Sequence, residues 1–183
     1  MRSARWKFFI NYEKEEAWLN EMSAKGFAFR EYFLLRYSFE DSEPGEYIYR
    51  IELLENWITH PESQRYIGFL KENGVEAVAT WGRWVYFRRR AEEGAFDIYS
   101  DVESRLTHYR RVGVMFLVVG LAEIMIGVGQ IPGVLWYLSG EISVPMSLIA
   151  LVLLWGLGGV FLFAWNSLRR KIKMLKREKN LRE

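Results

Sequence analysis

Two histidines, His60 and His108, and no cysteine are all the imidazole and thiol in this 183-residue chain. A zinc site would have to join one of them to carboxylates, and no acid stands at a metal-ligand spacing from either. His60 precedes Pro61 at the start of a helical pattern and reads as a capping or surface residue. His108 lies in a basic stretch, HYRR. The paired acids Glu15/Glu16 and Glu92/Glu93 read as solvated surface. No P-loop, dinucleotide fingerprint or GxSxG occurs. The glycines of GVGQIPG lie in or beside an apolar run, which excludes a phosphate cradle. The expectation is therefore a non-enzyme with no catalytic residue, no metal ligand and no cofactor. One chemically conspicuous residue remains: Glu123, the sole ionisable group between Val112 and Ile131.

That run of apolar residues is long enough to cross a bilayer as a helix, and so is the uncharged run from Val144 to Trp165. The connecting segment, with Pro132, Gly133, Gly140 and Glu141, reads as a loop, and its Trp136 and Tyr137 suit a membrane interface. The competing reading, a buried helical hairpin in a soluble protein, fits the length and uniformity of the second run less well. Arg105, Arg110 and Arg111 precede the first run, and Arg169, Arg170 and Lys171 follow the second, whereas the connection carries no Lys or Arg. By the positive-inside rule these six residues set the orientation. A multi-pass protein of the cell membrane, in contact with lipid and with both termini cytoplasmic, is expected.

Tyr99, Val102, Leu106 and Tyr109 follow a 3-4-3 rhythm, which continues onto Gly113, Phe116, Gly120, Glu123, Gly127 and Gln130. In a membrane span, small and polar residues mark the side that packs on another helix. Gly113, Gly120, Glu123, Gly127 and Gln130 are thus the expected helix-packing stripe. Gln130, Ser147, Trp155 and Trp165 are candidate donors to Glu123. Its role stays open between interhelical contact and proton- or ligand-linked switch.

Residues 1–90 carry 14 Lys/Arg and 14 Asp/Glu, so the basic character of the chain resides in its C-terminal tail. Alternation in RWKFFINY, FAFREYFLLRYSFE, GEYIYRIELLE and VEAVATWGRWVYFRRR predicts four strands. Acids in the first turn and Gly26 after the end predict a helix over EKEEAWLNEMSAKG. Pro61 and Gly74 bracket a second over HPESQRYIGFLKENG. The order βαββαβ predicts an α+β, ferredoxin-like domain over 1–92. A juxtamembrane helical linker (93–111), a first span (112–131), an extracytoplasmic loop (132–143), a second span (144–166) and a basic cytosolic tail helix (167–183) complete the expected organisation.

EEAWLNEMSAKGFAF, followed by YSFE and GEYIYRIE, resembles an uncharacterised family of Gram-positive bacteria, domain of unknown function 2812, over about residues 5–90. The resemblance implies a membrane-tethered cytosolic domain and carries over no site residues.

An aromatic-rich βαββαβ domain invites comparison with RNA-recognition folds. The third strand lacks their Lys/Arg-Gly-aromatic pattern, and a net charge of zero offers phosphate no footprint, so nucleic acid is disfavoured as a partner. Large side chains occupy both faces of the predicted strands, for example Phe8 and Phe9, Ile48 and Tyr49, and Trp84 and Val85. A second apolar face calls for a cover: a second copy in a homodimer, another protein, a ligand or the membrane stalk. The expectation is a membrane-anchored interaction or regulatory module. An accessory subunit of a transport complex and a small-ligand sensor using the aromatic face are the rivals.

Overall fold

A computed structural model describes residues 2–99, 101–140 and 146–182. The chain divides into two compact units, Met1–Ser100 and Asp101–Glu183.

The first unit contains β1 (Arg2–Trp6), α1 (Tyr12–Ala24), β2 (Phe27–Phe33), β3 (Arg36–Asp41), β4 (Tyr47–Leu53), α2 (Pro61–Glu72), β5 (Glu76–Trp81) and β6 (Trp84–Arg90). Helix α2 begins at Pro61 as the sequence predicts, whereas α1 begins at Tyr12, which the alternation places with Asn11 in the first strand. Asn11 caps α1 by accepting the Glu13 amide at 2.9 Å. His60 caps α2 by accepting the Glu62 amide through Nδ1 at 3.3 Å. Gly26 and Gly74, both at positive φ, end the two helices.

The strands differ from expectation. A single four-stranded sheet is not formed: there are two three-stranded antiparallel sheets, ordered β1-β3-β2 and β4-β6-β5. Two of the predicted long strands each fold in half. Leu34-Leu35 forms the loop between Phe33 and Arg36, and Gly82-Arg83 the loop between Trp81 and Trp84. The first loop holds both leucines in the left-handed region, at φ 42° and 69°, as a type I′ hairpin turn demands. The second needs positive φ only at Gly82, 61°, and has a glycine there.

The unit is a repeat of βαββ. Shifting residue numbers by 48 carries the β2/β3 register onto the β5/β6 register: Phe27↔Asp41 becomes Val75↔Arg89, beside the observed Glu76↔Arg88, and Phe29↔Phe39 becomes Ala77↔Phe87. The bulge between Phe29 and Glu31 has its counterpart between Ala77 and Ala79. Gly26 and Gly74 obey the same shift.

Two cores result. Leu19 and Met22 of α1 pack with Phe29, Tyr37 and Phe39 of the first sheet and with Tyr49, Ile51 and Tyr86 of the second. On the opposite face of the second sheet, Val85 and Phe87 pack with Leu54, Val75 and Phe96, bordered by Tyr66, Ile67 and Leu70. Strand β6, central in its sheet, is therefore apolar on both faces because both face a core. On this strand, the second apolar face inferred from Trp84 and Val85 is covered by the unit itself.

Strand β4 lies at a sheet edge, where unpaired backbone groups are a liability. Helix α1 covers that edge with side chains four and three residues apart. Glu16 Oε2 accepts the Ile51 amide at 2.9 Å. The Asn20 side chain accepts the Tyr49 amide at 2.8 Å and donates to the Tyr49 carbonyl at 3.0 Å. Ser23 Oγ donates to the Tyr47 carbonyl at 2.6 Å.

The left-handed leucine pair is costly for residues with a Cβ and a branched side chain. Replacing Leu34-Leu35 by Asn-Gly, the residues a type I′ turn favours, should raise stability by about 1 kcal/mol or more. Urea unfolding of parent and double variant checks this, and an unchanged or lower midpoint would contradict it.

The second unit contains α3 (Val102–Val128), α4 (Ile131–Leu138) and α5 (Met146–Arg182). Two helical stretches, Val102–Leu138 and Met146–Lys179, are long and apolar enough to cross a membrane. The region expected as a loop from 132 is helical as far as Leu138, with Pro132 in its first turn, where a missing amide hydrogen costs nothing. Residues 141–145, which complete the expected loop and begin the expected second span, lie outside the described residues. Helix α3 is continuous from Val102 to Val128, and the turn at Gly129-Gln130 separates it from α4, so Gln130 of the expected stripe lies beyond α3. Before α3, residues 94–98 are not helical, so the linker is helical only in its C-terminal part.

Candidate functional site

A carboxylate that sequence reasoning placed on the surface is the best-defined polar centre of the first unit. Glu15, in the first turn of α1, is 8 % exposed. Its Oε1 accepts hydroxyl hydrogens from Tyr37 at 2.7 Å and from Tyr86 at 2.7 Å. Tyr37 belongs to the first βαββ repeat and Tyr86 to the second, so one carboxylate oxygen ties the two together. Rings of Phe9, Trp18, Phe29 and Tyr32 surround the pair. Burial pushes the Glu15 carboxyl above its ordinary range, against the lowering influence of the two hydroxyls. Burial likewise raises Tyr37 and Tyr86, and the adjacent Glu15 charge raises them further.

This arrangement can hold a proton, and it can lock the repeats in register. Its neighbours are packed aromatic rings, so the chemistry it performs most directly is structural. Glu16 is also raised by burial, opposed by the Ile51 amide and Arg50. Tyr49 accepts the Phe29 amide at 2.8 Å, and burial pushes its phenol up to about 12. A second buried carboxylate, Glu52, accepts the Tyr66 hydroxyl at 2.8 Å beneath α2.

An open surface depression of about 770 Å³ lies between residues 41–46 and 90–92. Its charged groups largely serve one another, as in Arg90–Glu92 at 3.2 Å. Among the described residues, no three His, Asp or Glu side chains converge as a metal site would require. Glu92 and Glu93 pair with Arg90 and Arg89. His108 is almost wholly buried on α3.

In the second unit, α3 and α5 pack antiparallel. Gly113 faces Trp165, with 3.7 Å between its hypothetical Cβ and the indole. Phe116 meets Phe161 at a 5.9 Å centroid distance. Gly120 and Gly158 approach so closely that a Cβ on Gly120 would sit 3.1 Å from the Gly158 carbonyl oxygen. A Cβ on Gly127 would overlap the Trp155 ring. Gly113, Gly120 and Gly127 are buried at this seam, while Glu123 and Gln130 are half-buried. Of the donors considered for Glu123, Trp155 and Trp165 lie against glycines of the same stripe, and Ser147 lies against Gly133. The antiparallel packing brings Arg105, Arg110 and Arg111 to the same end of the hairpin as Arg169, Arg170 and Lys171. There Glu103 and Lys179 pair at 3.7 Å. Arg169 stacks over Trp165 at 5.4 Å.

The sequence reading treats Glu15 and Glu16 alike, as surface. The helical phase offered one clue: Glu15 precedes Leu19 and Met22 by four and seven residues, on the face that enters the core.

Neither a curated protein nor a solved structure matches this chain. A family model does, over residues 11–121, which takes in most of the α+β unit and continues into the apolar part of α3. The match spans more than half the chain, and the chain belongs to that family, described as a protein of unknown function, DUF2812.

Proposed function

We propose that this protein is a membrane-anchored interaction or regulatory module without catalytic activity, its α+β unit and both termini in the cytoplasm. The observation that carries the reading is the distribution of cations on the apolar hairpin. Arg105, Arg110, Arg111, Arg169, Arg170 and Lys171 gather at one end of two antiparallel helices whose outward side chains, among them Val114, Val118, Met125, Leu153 and Phe163, are exposed and apolar. Such a surface suits lipid, and such an end suits the cytoplasmic face. The α+β unit precedes the first helix and so shares that side.

A reporter active only outside the cytoplasm should be active when inserted at Ser139–Gly140 and silent when fused after Glu183. The reverse pattern would refute the orientation. One observation favours the transport-subunit reading as a second possibility. Glu123 is half-buried in an apolar helix and, among the described residues, no hydrogen-bond or ion-pair partner serves it, so a larger membrane protein would have a polar group to engage. Purification in mild detergent with mass spectrometry separates the two. Co-recovery of a signalling or transcriptional regulator supports the module, and co-recovery of transporter subunits supports the alternative.

A further inference from the structure

We infer that the end of the α+β unit carrying its two hairpin loops docks on the surface of an anionic bilayer, an inference that rests on the membrane-anchored reading above. Eight large apolar side chains are exposed among the described residues of this unit. Leaving Phe8 and Phe69 aside, six of them, Trp6, Phe33, Leu34, Leu35, Trp57 and Trp81, belong to the loop end, with exposures from 40 % for Leu35 to 72 % for Trp6. Phe33 and Trp81, one from each hairpin, have ring centroids 6.0 Å apart. The Lys7 amide, next to Trp6, donates to the Leu35 carbonyl at 3.0 Å. The Trp57 ring lies 3.8 Å from where a Cβ on Gly82 would stand.

The tip is not apolar by accident of composition. A type I′ turn is satisfied by Asn-Gly, yet two leucines are held there at positive φ. Strain kept at an exposed position without a folding benefit points to use of that position.

The chemistry of the tip selects lipid over a purely apolar partner. Tryptophan favours the headgroup boundary, and phenylalanine and leucine favour the acyl region beneath it. The segments forming the tip carry Arg5, Lys7, Arg36 and Arg83 against two carboxylates, Glu31 and Glu55. Lys7 and Arg36 are exposed there, whereas Arg5 lies over the Phe27 ring and Arg83 donates to the Leu54 carbonyl. Exposed cations beside an apolar centre complement anionic headgroups.

The chain also supplies the proximity. Strand β6 ends at Arg90, opposite Tyr47 and away from the tip. The chain then turns back, so that Phe96 lies beside Arg50 at 6.0 Å, three residues nearer the tip along β4. Helix α3 begins at Val102. Joined by so short a linker to an anchor in the bilayer, the tip needs little intrinsic affinity, because tethering replaces free concentration by a high effective one.

The full chain in lipid nanodiscs at one copy per disc provides the test. The natural chain has no cysteine, so Leu35→Cys gives a single attachment point for an environment-sensitive dye. Glu43→Cys, at the opposite end of β3, and Met125→Cys, on the exposed face of α3, serve as controls. In discs containing anionic lipid, the dye at 35 should be quenched several-fold more by a lipid-borne quencher than by an aqueous one, and at 43 the order should reverse. Adding Trp6→Ser and Trp81→Ser to Leu35→Cys should return position 35 to the aqueous quencher. Equal aqueous quenching at 35 and 43 overturns docking. Shielding of 35 from both quenchers that appears only as copies per disc increase also overturns it, in favour of a second copy as the occupant. Lipid quenching must appear at 125 in every disc, and its absence there refutes the membrane anchor itself rather than the docking.

Discussion

Glu15→Ala should unfold or severely loosen the α+β unit, at a cost of about 2–6 kcal/mol for two buried tyrosine hydroxyls left without their acceptor. Tyr37 and Tyr86 are 1 % and 4 % exposed, so water cannot replace the lost carboxylate without opening the first core. The conservative change separates hydrogen bonding from charge. In Glu15→Gln the side-chain oxygen still accepts both hydroxyls, and nothing ionises. Because burial raises the folded carboxyl above its ordinary value of 4.5, the folded state favours the protonated form. That contribution is complete below 4.5 and is lost as pH climbs from there through the raised folded value. Relative to Glu15→Gln, the natural protein should therefore lose stability over that window as pH rises. Denaturant unfolding of the two proteins, from below the ordinary carboxylate pKa to neutrality, reads the difference directly. A natural protein that gains stability over the window relative to Gln would show that the ionised carboxylate is the favoured partner of the tyrosines, and the assignment would fail.

The second large effect is expected in the helical hairpin. Gly120→Leu places a branched side chain where a Cβ alone would stand 3.1 Å from the Gly158 carbonyl oxygen and 3.1 Å from Leu162. Backbone cannot yield as a side chain can. The helices must separate, with a penalty of about 1–3 kcal/mol or more from overpacking. Gly127→Leu should behave similarly, since Trp155 occupies that space. Gly156 and Gly159 have nothing within 4 Å, so Leu at either should be nearly silent. Thermal stability in detergent ranks the four variants. Equal effects at 120 and 156 would mean that α3 and α5 do not meet along this stripe. Glu123→Leu belongs in the same series. With no partner for the carboxylate among the described residues, it should leave the isolated hairpin intact, and any loss of co-purifying protein would report a contact outside the chain.

The seam illustrates what a pattern can reveal before a structure exists. Apolar residues carry no phase inside a uniformly apolar helix, but glycines seven apart do. Gly113, Gly120 and Gly127 stand at the seam with α5 because only small residues admit so close an approach. Glu123 lies in the same phase and is only half-buried, since a heptad position states a direction and not the depth at which a partner lies.

Sequence by itself determined the local elements: the helix ends at Gly26, Pro61 and Gly74, two apolar stretches of spanning length, the asymmetry of flanking charge, and α+β character in the first hundred residues. All of these are properties of neighbours along the chain. The strand count was not legible, for a specific reason. A bulge reverses the alternation once, and a two-residue loop reverses it again. The two reversals cancel, so Phe29, Tyr37 and Phe39 keep odd parity through a bulge and a turn, and a folded hairpin reads as one long strand. The same cancellation hides the second hairpin between Ala77 and Phe87. With both turns hidden, the βαββ repeat was hidden too. Tertiary structure alone decided that Glu15 would meet Tyr86, 71 residues away, while Glu16 reached the edge of β4. A helix presents adjacent residues about 100° apart, and only the packing of α1 between two sheets assigned one carboxylate to the core and its neighbour to the strand edge.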